Sequence, residues 1–145
     1  MTHIVLTVGL LGDVAGFLAV AIRAATTPDP ARAAAFYDVL AMFGMVFGIP
    51  LSVAGVVTGV VLGVGSRWGV FRSRWVTVKL LLLISVMLVG SFVIAPAEVA
   101  VRNGSRTAAA AFIAAGVWDL LALMVATVLS VYKPPLRRRP PRPAR

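Results

Sequence analysis

Four apolar stretches, each long enough to cross a bilayer, take up most of this 145-residue chain. A helix needs about 20 largely apolar residues to span ~30 Å of hydrocarbon, and in lipid it must satisfy its own backbone hydrogen bonds. Hydrophobic residues make up 60% of the chain and charged ones 13%. A water-soluble domain of this size could not cover so much apolar surface. The expected fold is an all-α integral membrane bundle of four transmembrane helices, over residues 2–24, 39–65, 75–97 and 107–132 of a domain at 1–133. Residues 134–145 form a basic, proline-rich tail.

The first stretch is expected to be a retained span and not a cleaved leader, because no Lys or Arg precedes it and Asp13 interrupts it. Its Leu, Ile, Val and Phe residues favour insertion by about 5 kcal/mol in total, against which Asp13 costs about 3 kcal/mol. The helix therefore inserts despite the acid. Asp29-Pro30 reads as an N-cap with proline in the first turn, which places a helix start there. A short amphipathic lead-in over 31–38 feeds the second span, where Pro50 predicts a bend. Pro96 lies near the end of the third span. Asn103-Gly104-Ser105 marks a break, with Ser105 the cap of the last helix, and Pro134-Pro135 stop that helix.

Charge gives an orientation. The net charge is +9, but the basic residues flank apolar runs or lie in the tail, which is a membrane pattern and not a nucleic-acid footprint. Arg67, Arg72 and Arg74 in the middle loop and Lys133, Arg137, Arg138, Arg139, Arg142 and Arg145 in the tail share one side. Arg23, Arg32, Arg102 and Arg106 share the other. The bias places both termini in the cytoplasm and the protein in the cell inner membrane as a multi-pass protein.

Asp13 and Asp119 are the residues with most chemistry to offer. Each lies near the middle of its stretch, about 16–18 Å from the nearer end used as reference at 1.5 Å per residue. A carboxylate at that depth is costly, so it serves either a packing contact or a working site. In the working-site reading the two acids exchange protons with a substrate or ion, and Lys79, with its flexible stem, tunes them. In the packing reading each acid bonds a neighbouring helix and fixes the bundle, while Lys79 snorkels to the interface. Both remain open from the residues alone.

Small residues supply a second pattern. Gly44, Gly48 and Ser52 share one helix face, Gly55, Gly59 and Gly63 another, and Gly12 and Gly16 repeat the spacing beside Asp13. Such faces let helices approach closely, within one bundle or between copies in a homo-oligomer. Arg67, Trp68, Arg72, Arg74 and Trp75 read as an interfacial anchor against anionic lipid headgroups, and Glu98 and Arg102 as an i,i+4 ion pair. The chain has no Cys and one His. Thiolate and multi-histidine metal sites are thereby excluded within one copy, and the Met42/Met45 pair makes no copper site alone. No metal, cofactor or nucleic-acid partner is expected.

Several segments carry a resemblance: His3-Ile4-Val5 at the start, Arg67-Trp68-Gly69-Val70-Phe71-Arg72 followed by Trp75-Val76-Thr77-Val78-Lys79, and Leu129-Ser130-Val131-Tyr132-Lys133-Pro134. Together they resemble a family of small, uncharacterised actinobacterial four-helix membrane proteins. The resemblance implies fold and location and no established activity. A more distant likeness to the copper resistance D membrane domain lacks the histidines a metal role would need. The expected role is thus a non-enzymatic structural or accessory membrane protein that self-associates through small-residue faces. A small proton-coupled transporter using Asp13 and Asp119 is the second reading.

Overall fold

The computed structural model describes residues 2–65 and 74–131, with backbone only for residues 74, 75 and 131. Arg67, Trp68, Arg72 and the tail therefore lie outside the described residues. Among the described residues six α-helices make four passes: α1 (Thr2–Thr26), α2 (Pro30–Phe43) running into α3 (Ile49–Gly65), α4 (Arg74–Val89) running into α5 (Ala95–Arg102), and α6 (Arg106–Val131). Four helical stretches among the described residues are long and apolar enough to cross a membrane: Thr2–Thr26, Pro30–Gly65, Val76–Arg102 and Arg106–Ser130. Side chains such as Phe92 and Val5 stay about three-quarters exposed on the outside of the bundle, the surface that lipid covers.

The helix starts follow the expected caps. Asp29 Oδ1 accepts from the Ala31 N–H at 3.0 Å, with Pro30 in the first turn. Ser105 Oγ accepts from the Ala108 N–H at 3.3 Å. Between α5 and α6 the chain reverses at Gly104, whose φ of +82° suits only a residue without Cβ.

Two features differ from the expected spans. The lead-in over 31–38 is continuous with the second span, giving a 36-residue helix from Pro30 to Gly65. At about 54 Å it is longer than the hydrocarbon is thick. The third pass likewise continues beyond Ala97 to Arg102, so Pro96 lies inside it and not at its end. Each long pass carries a π-helical turn, Gly44–Gly48 in one and Gly90–Ile94 in the other. The Ile49 N–H bonds the Gly44 carbonyl and the Ala95 N–H bonds the Gly90 carbonyl, each five residues back. In both cases a proline follows the opening glycine by six positions, at Pro50 and Pro96. A proline ring collides with the carbonyl four residues earlier, and widening the preceding turn relieves that collision.

The passes pack in cyclic order, each beside its sequence neighbours, with α1 also against α6. Two apolar clusters hold them. The cluster nearer the α5–α6 turn centres on Phe112, Leu40, Ala21 and Tyr37, with Phe17 stacked on Phe112 at 5.1 Å and Tyr37 edge-on at 6.1 Å. The other, towards the chain ends, joins Leu10, Val86, Ala122 and Leu123. Asp13 and Asp119 fall in the layer between the two clusters.

Candidate functional site

The second and third passes touch near both ends, α2 against α5 and α3 against α4. Among the described residues their backbones do not approach each other across the two π turns. Residues of both turns line a cavity of about 560 Å³. Glycines face it from both turns, Gly44 and Gly48 on one side and Gly90 on the other, with Ser52 and Ser91 beside them. Leu10, Val14 and Phe17 of α1 and Gly116 of α6 contribute to the rest.

Both aspartates line this cavity. Asp119 is 4% exposed, and it is the one buried polar or charged side chain among the described residues. Its Oδ1 is buried without a hydrogen-bond partner, and the same is true of Asp13 Oδ1. Asp13 Oδ2 sits 3.5 Å from the position a Cβ would take at Gly48, so the glycine leaves the acid room. Gly116, three residues before Asp119 on the same helix face, packs against Leu18 and Phe17 of α1. A Cβ there would lie 3.2 Å from Leu18 Cδ1. The missing side chain at Gly116 thus leaves room for Leu18, one turn from Asp119.

Lys79 does not join the pair. It is absent from the cavity lining and lies within electrostatic reach of His3, towards the chain ends. There His3 Nδ1 and Thr58 Oγ1 are 2.8 Å apart. The Thr58 hydroxyl donates to the Ala54 carbonyl at 2.7 Å, which leaves its oxygen to accept from Nδ1–H. The His3 ring rests on Gly59, where a Cβ would stand 3.3 Å from Cε1. At the opposite end Arg102 bonds both Glu98, at 3.1 Å, and Asp38 of α2. The expected Glu98–Arg102 pair is thus part of a clamp between the second and third passes.

The glycine faces divide. Gly55 faces Leu83 and Gly59 faces His3, and Gly63 is buried, so this trio lies inside one bundle. Gly16 packs on Phe43, whereas Gly12 and Gly44 have open space where a Cβ would be. Arg74 opens α4 and Trp75 follows it. The sequence reading missed Gly90, Ser91 and Gly116. The shared spacing of Gly44 to Pro50 and Gly90 to Pro96 was the available signal for the two cavity walls.

Comparison with curated proteins and with solved structures finds no match. A family model described as a predicted integral membrane protein does match, over residues 1–134. With four membrane-length helices and that match, the chain belongs to the DUF2269 family of integral membrane proteins.

Proposed function

We propose that the protein is a small, non-enzymatic, proton-coupled carrier in which Asp13 and Asp119 hold either protons or a ligand within the bilayer. The observation that supports this most is the shared cavity: two carboxyl groups from different helices line it, each with an unpartnered oxygen. An ionised carboxylate at mid-bilayer depth must be neutralised, and a proton and a bound ligand then compete for the same oxygens. π turns are frequent at functional sites, which also favours this reading. An accessory role through self-association has less support, because the Gly55, Gly59 and Gly63 face is occupied within the chain. The basic loop and tail favour a setting in the inner membrane with both termini cytoplasmic.

Dicyclohexylcarbodiimide, which reaches protonated carboxyl groups from hydrocarbon, tests the reading. In full-length protein in nanodiscs, peptide mass analysis should find adducts at Asp13 and Asp119 and far fewer at Asp29 or Asp38, which are solvent-exposed. Adducts at neither intramembrane aspartate would overturn it.

A further inference from the structure

We propose that the ligand of this cavity is a lipophilic organic cation that enters sideways from the bilayer, between the two π turns. The inference rests on the carrier reading above and names its substrate class. Charge sets the sign. The charged side chains lining the cavity are Asp13 from α1, Asp119 from α6 and Glu98 from α5; α2, α3 and α4 contribute none. Glu98 is engaged by Arg102 at the rim, whereas Asp119 is more than nine-tenths buried with Oδ1 unpartnered. Lys79 and His3 lie outside the lining. An anion would meet only like charge here.

The rest of the lining sets the class of cation. Leu10, Leu40, Val86 and Ile94 offer hydrocarbon, and Phe17 adds an aromatic ring to the lining. A hard metal ion needs six or more converging oxygen ligands, and among the described residues no three acidic or histidine side chains converge to hold one. The volume of about 560 Å³ falls within the roughly 300–1,000 Å³ of small-molecule sites. Access follows from the window. Met45 and Ile49 line the cavity yet are 74% and 62% exposed, on a surface that faces lipid, and the flanking passes stay apart at that depth. A solute already dissolved in the bilayer can therefore reach Asp119 without crossing water.

Three probes separate these requirements: tetraphenylphosphonium, its anionic counterpart tetraphenylborate, and the water-soluble tetramethylammonium. Full-length protein in detergent should bind tetraphenylphosphonium saturably and the other two far more weakly. Asp119→Asn should weaken that binding about a hundredfold, because it removes the buried charge partner. Tetraphenylphosphonium should also protect wild-type Asp119 from the carbodiimide, a readout that needs no variant to fold. Equal binding of tetraphenylborate, full affinity in a folded Asp119→Asn protein, or labelling that the cation does not block would overturn the cation while leaving the carboxyl site standing. No labelling at all would remove the carrier reading as well.

Discussion

At the scale of single residues, Asp119 departs furthest from what packing alone requires. A buried polar atom without a partner costs about 1–3 kcal/mol, and Asp119 Oδ1 is such an atom. Asp119→Leu should therefore hold or raise thermal stability by up to about 3 kcal/mol, while abolishing pH-gradient-driven flux of tetraphenylphosphonium in proteoliposomes. A loss of stability of that size, measured by thermal unfolding in detergent, would favour a structural role for the acid. The mid-span position of Asp13 and Asp119 was legible in the sequence, and carboxylates are rare at that depth. Their meeting was not. These helices are apolar nearly all round, so periodicity does not say which face turns inward. Gly48 makes room for the Asp13 carboxyl and Gly116 for Leu18, and such fits are a property of two helices together. Lys79 shows the same limit: its depth could be read from the sequence, but its neighbour His3 could not.

At the scale of elements, the two π turns decide where the cavity is. Each is followed by a proline six positions beyond its opening glycine, and each adds one residue to a helical turn. Pro50→Ala restores the missing N–H and removes the ring collision, so the turn at Gly44–Gly48 should revert to α-helical pairing. Carbodiimide labelling at Asp13, beside Gly48, should then fall severalfold, with helix content by circular dichroism unchanged. Labelling equal to wild type would show that the turn does not shape the site. The bend at Pro50 was legible from the residue type. Its form was not, because a kink can be taken up by an open turn or a wider one, and neighbouring helices choose between them.

At the scale of the whole molecule, four passes enclose two apolar clusters with an acidic layer between them. Hydropathy is local and additive, which is why the number of passes could be read directly. The Arg102 clamp to Asp38 joins residues 64 apart in sequence, a separation that no local pattern reports. The central claim is that Asp13 and Asp119 share one cavity. Gly44 lines that cavity, and nothing lies within 4 Å of where its Cβ would be, so a bulkier side chain can be introduced there without a clash at its first atom. The most direct measurement is peptide mass analysis of carbodiimide adducts in wild-type and Gly44→Leu protein. Adducts at Asp13 and Asp119 should fall together; adducts that persist at both, or fall at one alone, would show that the two acids do not share the cavity.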